Sequence, residues 1–163
     1  MDAELAFAPS EKYKYSKIQK RIAEYKETNK EVKGWLTIPG TNINEPVLHS
    51  TKNNDYYLYR DWKGTNYPQI TWQNFMNYPA SAAYTDFRTK YGETWKKTSR
   101  NTVIYGHNWT NLRTPLDIGK NNNHIMFGQL PSYTSMDFAK KNPHIYYSTE
   151  DNEGVWVVFA VAY

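Results

Sequence analysis

The residues best placed to do chemistry lie in the stretch Asn101-Thr102-Val103-Ile104-Tyr105-Gly106-His107-Asn108. Val103, Ile104 and Tyr105 are β-branched or aromatic, which fits a buried strand. Gly106 interrupts that run and lets the backbone turn where a side chain would obstruct it. His107 is then carried at the mouth of a rigid element, a common place for catalytic groups. An imidazole exchanges protons close to neutral pH, with an unperturbed pKa of about 6.5. His107 is therefore the candidate acid–base group. The plainer alternative is a strand-end histidine that only bonds to the backbone, and the histidine by itself leaves that alternative open.

Other chemistries find little support. The chain has four histidines and no cysteine. Without cysteine there is no disulfide, no thiolate metal site and no thiol nucleophile in these residues. His49, His107, His124 and His144 lack metal-ligand spacing and no His-Glu-x-x-His occurs, so neither a metal nor another cofactor is expected. No Gly-x-Ser-x-Gly elbow offers a serine nucleophile. Asn108-Trp109-Thr110 is formally a glycosylation sequon, a pattern that arises often by chance.

The net charge is +4, yet Lys and Arg are scattered among acids, with short clusters only at Lys12–Lys20 and Lys96–Arg100. No zinc-finger, P-loop or RNA-recognition signature accompanies them, so a solvated basic face is expected and a nucleic-acid partner is not. No run approaches the roughly 18 apolar residues of a membrane helix. Hydrophobic residues make up 39% of the 163, and much of this is aromatic: 15 Tyr, 6 Trp and 6 Phe. Such side chains bury large areas and keep a polar handle, so a folded domain with a wet surface is expected. Aromatic clusters at Tyr56–Trp62 and Tyr67–Tyr78 fit core and loop packing better than sugar stacking.

The elements that must position His107 follow from periodicity and punctuation. After a loose leader, Tyr15, Ile18, Ile22 and Tyr25 recur at helical spacing and predict a helix over Ser10–Thr28. Gly34–Ile38 reads as a strand, Pro39-Gly40 as a turn, and Ile43–Leu48 as a second strand in which Pro46 implies an edge or a bulge. Asn53-Asn54-Asp55 caps a short helix starting at Tyr56. Thr65–Ala80 reads as loop and Ala82–Asp86 as a buried strand. Beyond the histidine, Trp109–Asn123 reads as polar loop and His124–Leu130 as a short helix. Tyr133–Lys141 predicts a further helix capped by Thr134 or Ser135, with Met136 and Ala139 facing inward and Pro143 ending it. His144–Thr149 and Val155–Tyr163 form a hairpin signal. Six to seven strands with short helices between them imply a mainly β fold with peripheral helices, a mixed but mostly antiparallel sheet closing toward a barrel. The most apolar run, Val155–Ala162, reads as a central strand, and its position at the written terminus implies that further strands belong beside it.

Taken in order, Gly34-Trp35-Leu36-Thr37-Ile38-Pro39-Gly40-Thr41, Pro46-Val47, Asn54-Asp55-Tyr56-Tyr57-Leu58 and the His107 stretch resemble a class B sortase. Met126–Leu130, Pro143–Tyr147 and Val157–Val161 resemble the segments that follow the family's histidine. The resemblance runs from about Glu31 to Tyr163. It implies one sortase-like domain over 1–163, with a leader and helix over 1–30 and a partial β-barrel, incomplete at the C-terminus, over 31–163. Sortases are cysteine transpeptidases at the outer face of the Gram-positive cell membrane. They cut a sorting signal of secreted proteins, which in class B resembles Asn-Pro-x-Thr-Asn, and pass it to an amine of a cell-wall precursor or a pilin. By this resemblance His107 is the catalytic histidine, and Tyr105 and Asn108 border the substrate groove. Any membrane association would come through an anchor absent from this chain.

The family's nucleophilic cysteine and its arginine lie on strands well downstream of the histidine, and neither region has a counterpart here. Arg88, Arg100 and Arg113 belong to other segments and are no replacement. The expectation is thus the N-terminal two-thirds of a class B sortase-like transpeptidase, inactive as written because thiolate attack needs a thiol. The alternatives are a non-catalytic cell-surface binding module and a pseudoenzyme that keeps the fold without the chemistry.

Overall fold

The computed structural model describes residues 9–66, 82–109 and 125–162, with side chains described for 17–66, 82–107 and 127–162. The leader, most of the Thr65–Ala80 loop, the 110–124 loop with His124, and the side chain of Asn108 lie outside the described residues.

Helix α1 spans Pro9–Thr28, as its apolar spacing predicts. Ile22 is 0% exposed, and Ile18 and Tyr25 pack beside it, so this stripe is a packing face. Strands β1 (Val32–Thr37) and β2 (Asn44–His49) form an antiparallel pair. Their connection has Gly40 at φ 78° and Thr41 N–H donating to the Ile38 carbonyl at 3.2 Å, the turn that a Pro-Gly pair favours.

Strands β3 (Ala83–Thr85), β4 (Ile104–Tyr105), β7 (His144–Thr149) and β8 (Val155–Val157) complete a six-stranded sheet in the order β4-β3-β2-β1-β7-β8. Among the described residues only the β2–β3 pairing of this sheet is parallel. The sheet curls into a half-barrel, with β4 and β8 at its two ends. A separate two-stranded ribbon joins β5 (Asn108–Trp109) to β6 (Ile125–Met126).

Side chains alternate between two buried clusters, as strand pleating requires. Trp35, Leu48, Ala82 and Tyr84 pack with Ile22 of α1 on one face. Leu36, Val47 and Ala83 pack with Tyr133, Phe138 and Tyr147 on the other. Val32 shares a face with Trp35 although the two are three residues apart. The register shift between Val32 and Gly34 explains this, because one extra residue in a strand reverses the alternation.

Several expectations are corrected. The bulge falls in β1 and not at Pro46, which lies in an interior strand just outside the part of β2 that pairs with β3. Tyr56–Tyr59 forms consecutive turns with i→i+3 bonds, Leu58 N–H to the Asp55 carbonyl and Arg60 N–H to the Tyr57 carbonyl, and no regular helix. The stretch read as a helix over 124–130 contains β6 followed by a 3₁₀ segment, Phe127–Thr134. The polar loop placed after the histidine starts instead with β5.

Helix α2 (Met136–Lys141) has Ser135 as its cap, but Met136 is 67% exposed and Phe138 takes the inward position. A six-residue helix exposes most of its surface, so a single anchoring ring is enough to dock it. The apolar run at the C-terminal side forms β8 only over Val155–Val157, at one end of the sheet and not in its centre. Trp156, Val157, Phe159 and Val161 are exposed, Phe159 to 96%.

Candidate functional site

Strand alternation puts Tyr105 and Ile104 on opposite faces of β4, and Gly106 and His107 follow directly after it. The neighbours follow that division. The Tyr105 ring lies 5.4 Å from the Tyr84 ring, within the cluster beneath α1. Ile104 packs against the opposite cluster, and Gly106 abuts the Phe127 ring.

Gly106 is required by space and not by a turn. A Cβ built there would lie 2.9 Å from the Phe127 ring, which itself packs on the buried cluster. Phe127 N–H also donates to the His107 carbonyl at 3.1 Å, so the 3₁₀ segment grips the strand end. Gly106→Ala must push this ring or the strand end aside. The expected cost is about 1–3 kcal/mol, as for other overpacked sites. A lowered denaturation midpoint with an unchanged denaturant slope would show it.

His107 is half-buried, and its Nε2 lies 2.7 Å from the Leu58 carbonyl oxygen. A carbonyl only accepts, so Nε2–H is the donor. In the neutral ring this tautomer places the proton-accepting lone pair on Nδ1. The imidazole is thus bonded to backbone, as the plainer reading proposed, yet the same bond fixes its orientation and tautomer. An oriented imidazole is what general acid–base catalysis needs.

The partner segment is itself anchored. Tyr57 is 1% exposed, and its hydroxyl donates to Glu31 and accepts from Asn29 Nδ2 at 3.0 Å. Burial, and next the Glu31 contact, push the Tyr57 hydroxyl above its ordinary range. Asn53 Oδ1 accepts from Asp55 N–H at 3.0 Å, a bond that opens the run of turns and not the helix the Asn-Asn-Asp signal implied.

Asp86 sits beside Tyr105 and escaped the sequence reading, which placed it only as a strand end. It is 4% exposed. Its carboxylate accepts from Arg88 Nε and Nη2 at 2.8 and 2.9 Å, from Asn54 Nδ2 at 3.0 Å and from the Tyr105 hydroxyl at 3.1 Å. The Arg88 guanidinium, followed by the Arg88 and Asn54 N–H groups, holds this carboxyl well below the usual carboxylate range. Burial, then the bond to Asp86, pushes the Tyr105 hydroxyl up. A carboxylate two residues before an arginine was the available signal, though sequence does not tell such a pair from a solvated one.

Asn108 opens β5 with its backbone paired to Met126. Among the described residues no group of His, Asp and Glu could hold a metal ion. On the Gly106 side lies an apolar hollow of about 430 Å³, walled by Phe127, Leu130, Tyr133, Ile145 and Val158.

No family model matches the chain. It is 28% identical over 144 residues to sortase B of Listeria monocytogenes, covering 88% of this chain and 47% of the relative. It is 26% identical over 125 residues to sortase B of Staphylococcus aureus, covering 77% of this chain and 40% of the relative. A crystal structure of sortase B from B. anthracis in complex with AAEK1 is 28% identical, with a TM-score of 0.64 over 86% of this chain and 54% of that one. The chain spans about half the length of the curated relatives it matches. By sequence and by fold together, the chain is homologous to the sortase B proteins, matching most of its own length to about half of theirs.

Proposed function

We propose that these residues form, as one sortase-like domain, the histidine-bearing part of a sortase B-type transpeptidase. The observation that carries the proposal is His107. It stands two residues beyond β4, aligned by the Leu58 carbonyl, within a fold similar to sortase B. In this reading a thiolate attacks a peptide carbonyl of the sorting signal; a C–S bond forms, the C–N bond breaks, and His107 delivers the proton to the leaving amine. An incoming amine then attacks the thioester, the C–S bond breaks, and His107 takes up the proton. Tyr105 and Asn108 border the peptide. The partners are a sorting-signal peptide of the Asn-Pro-x-Thr-Asn class and an amine of a cell-wall precursor or pilin, met at the outer face of a Gram-positive membrane. Among the described residues no helix is long and apolar enough to cross a membrane.

The 163 residues hold no cysteine, so the thiolate step has no agent within them. The part of the relatives that this chain does not match is the proposed source of the thiol and the oxyanion-binding arginine. The exposed Trp156, Val157 and Phe159 and the apolar hollow beside Gly106 support such a docking partner, since large exposed apolar patches are rarely left bare. The comparisons do not favour a non-catalytic wall-binding module. The test is an assay of these residues alone with an Asn-Pro-x-Thr-Asn peptide. No cleavage is expected, and cleavage at a measurable rate would contradict the reading.

A further inference from the structure

We infer that Asp86 is a positioning residue for His107, its carboxylate tying together the two segments that hold the imidazole. The inference rests on the reading of His107 as the proton-handling group. One segment is β4, where the Tyr105 hydroxyl donates to Asp86 Oδ2 at 3.1 Å and Asp86 N–H donates to the Val103 carbonyl at 3.0 Å. Tyr105 precedes His107 by two residues. The other segment is the run of turns from Asn54. Asn54 Nδ2 donates to the same Oδ2 at 3.0 Å, and Asn54 Oδ1 accepts from Phe87 N–H at 2.9 Å. Leu58, four residues on, supplies the carbonyl that accepts from His107 Nε2.

A carboxylate placed only to balance Arg88 would need no further partners, and Arg88 already donates to it through Nε, Nη2 and its backbone N–H. The remaining side-chain contacts of Asp86 reach Tyr105 and Asn54, one in each of the two segments. An ionised carboxylate offers two accepting oxygens with about four lone-pair sites, enough to serve donors of both segments beside Arg88, whereas an amide or hydroxyl offers one accepting oxygen. Arg88 keeps it ionised, although the arginine side chain is itself 73% exposed and far from enclosed. The arrangement resembles the outer groups that orient an active imidazole through the atoms it already touches.

The test is the ¹⁵N and proton spectrum of His107 in the intact protein, assigned with His107→Gln. The native ring is expected to carry its proton on Nε2 and to exchange it slowly. In Asp86→Ala that proton is expected to exchange on the order of tenfold faster, the scale of one lost hydrogen bond, with the two tautomers mixing. Arg88→Ala, which keeps the Asn54 and Tyr105 links, is expected to change the ring signals less. A folded Asp86→Ala protein with a lowered melting temperature but unchanged His107 signals would overturn the inference. Should that variant not fold, the paired Asn54→Ala/Tyr105→Phe variant removes the same two links, leaves the Asp86–Arg88 pair in place, and is read the same way. The readout needs no substrate. Failure of the transpeptidase reading therefore shows in peptide assays alone, and failure of the positioning role shows in the imidazole alone.

Discussion

Replacing His107 by alanine, in this chain joined to the thiol-bearing part of a sortase B relative, is expected to slow peptide transfer by about 10²- to 10⁴-fold. The size follows from losing the group that gives a proton to one amine and takes it from the next. The loss is expected mainly in kcat. His107 bonds the Leu58 carbonyl and is not nominated as a peptide-binding contact. A histidine that serves only to pin Leu58 would give a different result, with lower stability and a modest, pH-independent change in rate. Steady-state kinetics across pH, alongside a denaturation curve, separates the two.

The second large effect concerns Glu45, in β2 opposite Leu36. Its Oε1 is buried without a hydrogen-bond partner, and burial raises the carboxyl from 4.5 to about 7. Unfolding returns it to water. The folded carboxyl thus binds its proton more tightly than the unfolded one, so the contribution of Glu45 to stability is fully present below pH 4.5 and is lost as pH rises through 7. At 1.36 kcal/mol per pH unit, the full loss is roughly 3 kcal/mol above pH 8. Glu45→Gln, which cannot ionise, is expected to match the native protein near pH 4.5 and to exceed its stability by about that amount at pH 8. Asp86 works in the opposite sense, because its carboxyl is held low; its contribution is present above the ordinary carboxylate range and fades as acid titrates it. Urea denaturation at pH 4.5, 6 and 8 follows Glu45, and the Asp86 contribution shows only when the series is carried below pH 3.8.

Elements with strong local signals were legible in the sequence. The α1 stripe, the Pro39-Gly40 turn, β1, β2 and the β7–β8 hairpin each carry a periodicity or a backbone requirement that neighbours did not override. The strand before His107 was legible for the same reason, although it covers only Ile104–Tyr105, is half-buried and leaves Val103 exposed. The short pieces were not. The 3₁₀ segment and the turns at Tyr56–Tyr59 gain their order from tertiary anchors such as Tyr57 on Glu31 and Phe127 on His107, contacts between residues far apart in the chain. Met136 was read inward because helical spacing alone cannot rank it above Phe138, and the docked ring decides. Asp86 and Glu45 show the same limit. Each is one acid in a strand-forming stretch, and only the assembled sheet makes one a paired hub and leaves the other with a buried carboxyl oxygen that has no hydrogen-bond partner.

The central claim is that this chain supplies the aligned imidazole of a transpeptidase and not its thiol. Its most direct test is mass spectrometry of the chain joined to the thiol-bearing part of a sortase B relative, incubated with sorting-signal peptide and then with an amine. A peptide thioester is expected on the added cysteine, discharged by the amine, with discharge strongly slowed in His107→Ala. A joined protein that is folded, carries a reactive thiol and yet forms no thioester, or that discharges it equally well without His107, would contradict it.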